Sequence, residues 1–264
     1  MTQLERGERF EALHESGTFV IPNPWDAGSA KVMAALGFQA LATTSSGFAF
    51  TLGRLDGGAT LDEVVDHTAA LAAATPLPVS VDLENGYGPD PADAAAAIVR
   101  VAGAGAVGGS IEDFSPDEGV YGIDQAVERV AAAVEAARAM AFPFTLTARA
   151  ENHIRGNPDL ADTIARLQAY DAAGADVLYA PGLRTIEEIS AVCDAVSKPV
   201  NVLARPDLTL GEIADAGARR VSVGGALTWV AVGAMAEAAV KVRDGDLAAL
   251  RADVALDEWL RPPG

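Results

Sequence analysis

One pattern recurs along the whole chain and restricts the possible fold more than any other feature. An alanine-rich helical stretch ends at a glycine, a short strand of β-branched residues follows, and a polar loop leads to the next helix. The glycine stops are AALGF, AGAGAV, DAAGADV and DAGARRV. Strands that alternate with helices pair in parallel, because right-handed crossovers place each helix on the outer face of the sheet.

The pattern predicts eight strands, each a nearly continuous apolar run of the kind that is buried on both faces. They span residues 18–22, 40–44, 78–82, 107–112, 144–149, 177–180, 200–203 and 220–223. Eight such units that close on themselves give an α/β fold of the (β/α)₈ TIM-barrel type. The alternative is a doubly wound open sheet, which more often carries a glycine-rich phosphate loop after its first strand. No GxGxxG follows the first strand here, so we predict the barrel.

The size of the chain is sufficient for one large core. With 264 residues, half of them apolar, nothing requires a second domain, and we predict that residues 1–264 form one barrel domain. The tail at 227–250 supplies a last helix, VAVGAMAEAAVKVRD, whose apolar faces can pack on a partner chain as easily as on its own barrel. A homo-oligomer is therefore compatible with the sequence, and the terminal RPPG is expected to fray.

The charge of the chain excludes several classes of partner. A net charge of −18, without a lysine- or arginine-rich stretch, predicts no binding to nucleic acid or to anionic membranes. The start MTQLERGERFEALHES lacks the apolar stretch of a secretory signal, and no later run has the length of a membrane span, so we expect a cytoplasmic protein. Cys193 is the one cysteine, and we interpret it as a buried helix residue.

Polar residues collect where the predicted strands end. Catalysis in such barrels takes place at the carboxyl ends of the strands, so these side chains should converge on one mouth. They are Asp82, Glu84, Glu112, Arg149, Glu151 and Asn201. Arg149 can hold a carboxylate with two hydrogen bonds and face a developing enolate oxygen, with Glu151 to orient it.

Converging carboxylates need a cation, because a buried carboxylate without a partner is strongly disfavoured. The site offers only oxygen ligands, which favours Mg²⁺, with Mn²⁺ as a possible substitute, over Zn²⁺. The alternative is that each carboxylate is an ordinary loop charge that caps the following helix. The repetition of carboxylates at successive strand ends favours the metal.

Two further groups of residues have weaker signals. The loop SSGF offers small residues and backbone N–H groups that could receive an anion. His14 and His67 lie in amphipathic helical stretches and are expected at the surface or its boundary, and His153 follows the fifth strand without an assigned role. Asp26 is expected to cap a helix.

The segments PNPWDAGSA, TTSSGFAF, DLENGYG, SIED and TARAEN, in this order and spacing, resemble the isocitrate lyase and phosphoenolpyruvate mutase superfamily. The resemblance extends from near the N-terminus to the last barrel strand. It implies a (β/α)₈ barrel whose last helix is swapped between subunits of a dimer of dimers. It also implies a Mg²⁺ ion, 2-oxo or 2-hydroxy acid substrates, and reactions that pass through an enolate.

The resemblance assigns roles by position. Asp82 looks like the direct metal ligand, Glu84 and Glu112 look like carboxylates that act through metal-bound water, and Asp56 is similar to a further acid of the metal site. Ser46, Gly47 and the Phe48 amide look like the carboxylate-binding turn. Arg149 looks like the arginine for substrate and enolate, and Asn201 resembles a polar substrate contact.

The chain departs from the family pattern at two places. Glu84 replaces the more usual aspartate and lengthens that arm by one methylene. After SIED, isocitrate and methylisocitrate lyases have a KKCGH-like loop with a catalytic cysteine, whereas this chain has FSPDEGVYGID. We interpret residues 114–123 as the mobile lid, which contains Tyr121 and acidic residues but no lysine or arginine.

Together these features predict a Mg²⁺-dependent carbon–carbon lyase or decarboxylase. Its substrate would be a small 2-oxo or 2-hydroxy dicarboxylic acid similar to oxaloacetate, malate or methylisocitrate. A carbon–phosphorus enzyme that acts on phosphonopyruvate is the first alternative, and the acidic lid makes it less favourable. The second alternative is a non-catalytic 2-oxo acid binder, which would not need both the metal carboxylates and the arginine.

Overall fold

The computed structural model, which describes residues 1–261, has eight parallel strands arranged in a nearly closed barrel. The strands are β1 (Phe19–Ile21), β2 (Leu41–Ala42), β3 (Val79–Asp82), β4 (Gly108–Glu112), β5 (Thr145–Arg149), β6 (Val177–Tyr179), β7 (Val200–Leu203) and β8 (Arg220–Ser222). Their order in the sheet is β1-β8-β7-β6-β5-β4-β3-β2. A hydrogen bond of 3.1 Å from the Ala42 amide to the Pro22 carbonyl connects the chain at the two ends of this sheet. The prediction of a (β/α)₈ barrel is confirmed.

Helices follow the strands, and most of them cover the outside of the barrel. They are α1 (Gln3–Ala12), α2 (Ala27–Ala35), α3 (Ser45–Thr51), α4 (Leu61–Ala74), α5 (Pro91–Gly103), α6 (Ile123–Arg138), α7 (Leu160–Ala172), α8 (Ile186–Ala195), α9 (Leu210–Asp215), α10 (Ala226–Arg243) and α11 (Leu256–Leu260), with a 3₁₀ turn at Leu247–Leu250. A two-stranded hairpin, Phe114–Ser115 with Gly119–Val120, lies between β4 and α6. It occupies the segment that the sequence assigns to the lid.

The predicted glycine stops end helices by a simple conformational device. Gly37, Gly105, Gly174 and Gly217, one from each stop, have φ angles between +89° and +104°. A glycine adopts this left-handed conformation without the steric cost of a Cβ atom, so the chain can leave the helix and turn toward the next strand. Capping boxes fix several of the opposite ends, as at Thr60, whose hydroxyl accepts from the Glu63 amide.

Helix α1 closes the amino-terminal end of the barrel. The Phe10 ring is fully buried in a cluster with Phe19, Ile21 and Val107. Gly108 leaves room for it, because a Cβ atom at that position would lie 2.7 Å from Cε1 of Phe10. The floor of the barrel is therefore packed, and the open end is the one at which the strands end.

Helix α10 is the exception to the buried pattern. Thr228 is its one buried residue, and large apolar side chains such as Trp229, Val230 and Met235 are exposed. Across the part of the chain that the structure describes, no helix combines the length and the apolar character that a membrane span requires. The terminal RPPG, which the sequence predicts to fray, lies outside the described residues except for Arg261. That residues 1–264 form one domain stays a prediction.

The role of α1 predicts a large loss of stability for Phe10→Ala. Removal of a fully buried aromatic ring should lower the free energy of unfolding by about 3–5 kcal/mol. The exposed Val99 of α5 provides the control, since Val99→Ala should stay within about 0.5 kcal/mol of the wild type. Urea denaturation followed by circular dichroism measures both variants, and equal midpoints would show that α1 does not support the barrel.

Candidate active site

The register of the parallel strands brings the predicted site residues to one rim. Glu112 at the end of β4 is paired with Arg149 of β5, Arg149 with Tyr179 of β6, and Tyr179 with Asn201 of β7. Asp82 is the last residue of β3. Residues separated by 119 positions in the sequence, from 82 to 201, thus lie around the same mouth.

Arg149 is the centre of this rim. Its Nη1 lies 2.9 Å from Oδ1 of Asp82, and its Nη2 lies 2.9 Å from Oε2 of Glu112 and 2.8 Å from Oε1 of Glu151. The Nε atom also donates to Glu151, at 3.1 Å, so Glu151 contacts the guanidinium at two nitrogens, as an orienting group would. The ring of Tyr179 lies beneath the guanidinium, 5.4 Å from centroid to Cζ. Arg149 is therefore fixed on every side that does not face the mouth.

The charges of this cluster shift the ionisation of its members. Burial alone would lower the pKa of Arg149, but the charges of Glu151, Glu112 and Asp82 outweigh it and hold that pKa well above its usual value. Burial raises the pKa of Glu112 well above the ordinary range, and the attraction of Arg149 offsets only part of the effect. The arginine is permanently charged, whereas Glu112 is costly to keep ionised in the absence of more positive charge.

Glu84 lies beside this cluster in an unusual backbone conformation. Its φ is +49° and that of Tyr87 is +65°, both in the left-handed region that non-glycine residues rarely adopt. The Tyr87 hydroxyl donates to Oε1 of Glu84 at 3.2 Å. Burial, followed by the charges of Asp82 and Asp56, raises the pKa of Glu84 to about 7. The strained turn thus directs a carboxylate toward two others.

These carboxylates fit a hydrated divalent cation. Within residues 1–261, no three His, Cys, Asp or Glu side chains are grouped closely enough to hold an ion by themselves. Mg²⁺ does not require such a group, since it keeps several waters and is usually bound through one or two carboxylates. Besides burial, repulsion by Asp82 and Asp56 raises the pKa of Glu84, and a cation beside these three carboxylates would remove that repulsion.

Two adjoining cavities open at this mouth. The larger, of about 230 Å³, is lined by Asp82, Arg149 and Asn201 among others, and the smaller, of about 140 Å³, by Glu84 and Glu112. Ser45, Asp56 and Arg149 line both. The acids and the arginine therefore stand between a pocket inside the barrel and a pocket under the lid.

The prediction that SSGF forms a loop is wrong, because these residues form the first turn of α3. The Thr44 hydroxyl caps the helix by accepting from the Gly47 amide at 3.4 Å, and the Thr44 carbonyl accepts from the Phe48 amide at 2.9 Å. A helix this short has no repeating apolar pattern that a sequence would reveal. Ser45 and Ser46 line the larger cavity, and the Ser45 amide donates to Oδ2 of Asp82 at 3.2 Å.

Asn201, which the sequence predicted as a polar substrate contact, is buried inside the barrel. It is 1% exposed and still lines the larger cavity. Its Nδ2 donates to the Ser222 hydroxyl, and its Oδ1 accepts from Nε of Arg220, each at 2.9 Å. Arg220, Ser222 and Tyr179 were not among the predicted site residues. The sequence offered a signal for Arg220, because an arginine at the start of a predicted buried strand is unusual.

The lid hairpin has a cation beside it that sequence reasoning missed. Arg155, from the loop after β5, lies over the ring of Phe114, 3.8 Å from Cζ to the centroid. It also pairs with Glu151 at 3.2 Å and with Glu112 at 3.6 Å. The lid itself has no lysine or arginine, as predicted, but a neighbouring loop provides positive charge where it meets the rim.

The histidine predictions are partly wrong. His14 is buried, not at the surface, because its ring packs between Phe10 and Phe19 at the base of the barrel. His67 lies at the boundary as expected and stacks on Phe48 with centroids 4.0 Å apart. His153 is among the lining residues of neither cavity, and its Nε2 lies 3.8 Å from Oε1 of Glu188. Asp26 caps α2, as predicted. Cys193 lies in a helix, α8, as predicted, but it is half-buried rather than buried.

Comparisons with known proteins agree on one family. A family model described as phosphoenolpyruvate phosphomutase matches residues 10–243. A crystal structure from Burkholderia cenocepacia J2315, provisionally described as a lyase or mutase, is 52% identical, with a TM-score of 0.95 over 99% of this chain and 97% of its own. Oxaloacetate decarboxylase from Paraburkholderia xenovorans LB400 is 31% identical over 199 residues, 71% of this chain and 64% of its own. A structure of oxaloacetate acetylhydrolase with the product oxalate is 27% identical, with a TM-score of 0.88 over 97% of this chain and 94% of its own.

The raised pKa of Glu84 predicts a pH-dependent stability in metal-free buffer. The folded state binds this proton up to a pH of about 7, whereas a glutamate in the unfolded chain releases it near its ordinary pKa of 4.5. Stability should therefore fall as the pH rises through this window, and Glu84→Gln should remove that part of the loss. Thermal melts of both proteins between pH 4.5 and 8 measure the difference, and Mg²⁺ should reduce it. Parallel curves for the two proteins would contradict the assignment.

Proposed function

Because this chain belongs to the phosphoenolpyruvate phosphomutase family, within the isocitrate lyase and phosphoenolpyruvate mutase superfamily, we propose that it is a Mg²⁺-dependent carbon–carbon lyase or decarboxylase. Its substrate would be a small 2-oxo or 2-hydroxy dicarboxylic acid similar to oxaloacetate, malate or methylisocitrate. One observation carries the proposal: Arg149 is fixed by three carboxylates at the mouth of a cavity, beside further acids that need a cation.

The acids divide into ligands and supporting groups. We assign Asp82 as the direct ligand of the ion, Glu84 and Glu112 as carboxylates that act through its waters, and Asp56 as a further acid of the site. Mn²⁺ accepts the same oxygen donors and could replace Mg²⁺. When bound, the ion supplies Lewis-acid polarisation of the substrate carbonyl and neutralises the negative charge that develops on it.

The cavity offers a place for each polar group of such an acid. The first turn of α3 would receive the carboxylate next to the reacting carbonyl, chiefly through Ser46. The Gly47 and Phe48 amides, also predicted for this contact, already donate to Thr44. In this arrangement Ser45 and Ser46 are the residues of the turn that line the cavity. Asn201 would contact the substrate from the barrel interior, on the side opposite the lid.

Of the residues of this chain, Arg149 would contribute most to catalysis, by stabilising the negative charge of the enolate. For a 2-oxo acid such as oxaloacetate, the bond between C3 and its carboxylate breaks and carbon dioxide leaves. The electron pair of that bond forms the C2–C3 double bond, and the π pair of the carbonyl moves onto oxygen, which gives the enolate. For a 2-hydroxy acid, the hydroxyl loses its proton to water as the C2–C3 bond breaks, so one fragment leaves as a 2-oxo acid and the other as an enolate. A guanidinium that is already in place stabilises this charge without reorganisation. Glu112 and Glu151 keep it in place. A lid group or a water molecule would deliver the proton to carbon.

One observation bears on the carbon–phosphorus alternative, and it does not favour that reaction in the end. Arg155 provides the positive charge that the lid lacks, in a position where a phosphonate could meet it. That charge is already balanced by Glu112 and Glu151, however. A dianionic phosphonate would have to compete with two carboxylates for Arg155, so we retain the carbon–carbon reaction as the proposal.

We also propose that the chain forms a homo-oligomer, a dimer of dimers in which α10 is swapped between subunits. The exposed apolar side chains of α10 support it, since a helix of this composition is normally covered. The start of α10 lies close to the site, because a Cβ atom on Gly47 would lie 2.7 Å from Oγ1 of Thr228. A swapped helix would thus tie the assembly to the first turn of α3.

The experiment that tests the activity is a product assay on a panel of acids. Oxaloacetate, dimethylmalate, methylisocitrate and phosphonopyruvate are each incubated with Mg²⁺ or with chelator, and pyruvate, oxalate and phosphate are measured. Chelator-sensitive cleavage of one carbon acid supports the proposal and names its substrate. Phosphate release from phosphonopyruvate alone would favour the alternative, and no product from any acid would argue against the proposed substrate class.

Substitutions at the rim should remove this activity without unfolding the protein. Arg149→Lys should lower kcat on the order of 100-fold, because an ammonium cannot reproduce the planar grip of the guanidinium. Asp82→Asn should lose the dependence on Mg²⁺ together with most of the turnover. Arg100→Lys, at a surface pair on α5, is the matched control and should keep wild-type kinetics. Circular dichroism checks the fold, and full activity in Arg149→Lys would place the substrate elsewhere.

The oligomer prediction is tested by light scattering coupled to size exclusion. The wild type should elute with about four times the chain mass of 27.0 kDa. Val230→Glu places a charge on the exposed face of α10, where Val230 is 68% exposed, and should give a smaller species. Val99→Glu, on the exposed face of α5, should not. A monomeric wild type would overturn the proposed assembly.

A further inference from the structure

The barrel interior contains a second arginine, Arg220, that the proposed mechanism does not use. It is the first residue of β8, is 5% exposed, and lines the same cavity of about 230 Å³ as Arg149. An arginine is rarely buried to this degree without a carboxylate partner, because the charge loses its hydration. The position therefore requires an explanation.

The partners of Arg220 are all neutral. Nε donates to Oδ1 of Asn201 and Nη2 to the hydroxyl of Thr147, each at 2.9 Å, and Nη1 lies 3.3 Å from Nε2 of His14. Among the ion pairs of residues 1–261, none includes Arg220. Arg149, the other arginine of this cavity, has three carboxylates.

His14 does not balance the charge either. Its Nδ1 lies 2.8 Å from the Phe10 carbonyl, which can only accept a hydrogen bond, so the proton is on Nδ1 and Nε2 accepts from Arg220. Burial, together with the charge of Arg220, lowers the pKa of His14 to about 3. Burial lowers the pKa of Arg220 only to about 10, so it stays protonated near neutral pH.

Arg220 also determines which way Asn201 faces. A guanidinium has only donors, so the carbonyl oxygen of the Asn201 side chain must point toward it. The amide nitrogen of Asn201 then points toward the Ser222 hydroxyl, on the cavity side of the strand pair. Without Arg220 the carboxamide could rotate and present an acceptor, which would repel a carboxylate.

We propose that Arg220 is a positioning residue that orients the Asn201 amide and gives the cavity floor the positive charge that a substrate carboxylate neutralises. A positive charge at the floor is needed because the other charges of the cavity are mostly negative. Arg149 is outnumbered by its own three carboxylates, and Asp56 adds negative charge at the mouth. Among the described side chains that line this cavity, Arg220 is therefore the one positive charge without a carboxylate partner that a dianionic acid would meet. This role of Arg220 rests on the part of the proposed function that names the substrate as a dicarboxylic acid, and it does not depend on which reaction the acid undergoes.

Three substitutions separate charge from geometry. Arg220→Met removes both, Arg220→Gln keeps a donor for Asn201 without the charge, and Arg220→Lys keeps the charge. The probe is malonate, a small dianion, titrated by calorimetry in the presence of Mg²⁺. Arg220→Met should weaken malonate binding about 10- to 100-fold, the other two variants less. Arg138→Met, at an exposed pair on α6, is the matched control and should bind as the wild type does.

Thermal stability distinguishes this role from a purely structural one. Burying a charge without a counter-ion is costly. Arg220→Met removes that charge, which should offset the loss of the hydrogen bonds to Asn201 and Thr147, so the variant should melt at or above the wild-type temperature. Weak malonate binding in an undiminished fold supports the proposal. Wild-type affinity in Arg220→Met overturns it, as does a loss of affinity that only follows a loss of stability in all three variants, or a wild type that does not bind malonate.

Failure of the role proposed for Arg220 can be told apart from failure of the proposed function. If the wild type cleaves a dicarboxylic acid while Arg220→Met keeps both the KM and the malonate affinity, the proposed function stands and the role of Arg220 fails. If no acid of the panel is cleaved but malonate binding depends on Arg220, the role of Arg220 stands and the reaction fails.

Discussion

The charge balance around Arg149 is the constraint on which the rest of this site depends. One guanidinium faces Asp82, Glu112 and Glu151 within 2.9 Å, in a place where none of the four side chains is more than 15% exposed. Such a cluster is favourable only if the geometry is good and more positive charge is available, because each ion has lost its water. The cluster therefore explains two features together: why the arginine is immobile, and why the acids next to it favour a cation.

The barrel makes this arrangement possible at little conformational cost. Parallel strands in register place Glu112, Arg149, Tyr179 and Asn201 side by side, on backbone that is already ordered by the sheet. The carboxylates at the mouth and Arg220 at the floor then form a gradient of charge along the cavity. In our account an anionic acid enters between a cation held by the rim and an arginine held by neutral side chains. Preorganised charges of this kind stabilise an enolate better than water does, since they need not reorient.

The sequence was informative wherever a local rule and the global fold required the same residue. The four glycine stops and the positions of the eight strands, to within two residues at each end, could be read directly, because left-handed turns and buried parallel strands each leave a strong pattern. It was uninformative where tertiary contacts decide. α3 is too short for a helical period, the left-handed φ of Glu84 depends on its surroundings, and Arg155 lies six residues beyond its strand. His14 is buried because α1 closes the barrel, which no property of its own segment indicates.

The measurement that tests the central claim most directly is the binding of oxalate, a planar dianion that resembles the enolate of pyruvate. Calorimetric titrations of the wild type with oxalate are compared in the presence of Mg²⁺ and in the presence of chelator. Our account predicts one site per chain with Mg²⁺ and a loss of at least about 100-fold in affinity with chelator, because the carboxylates of the rim would otherwise repel the ligand. Equal affinity under the two conditions would contradict the account, since it would mean that the acids around Arg149 do not hold a metal on which the ligand depends.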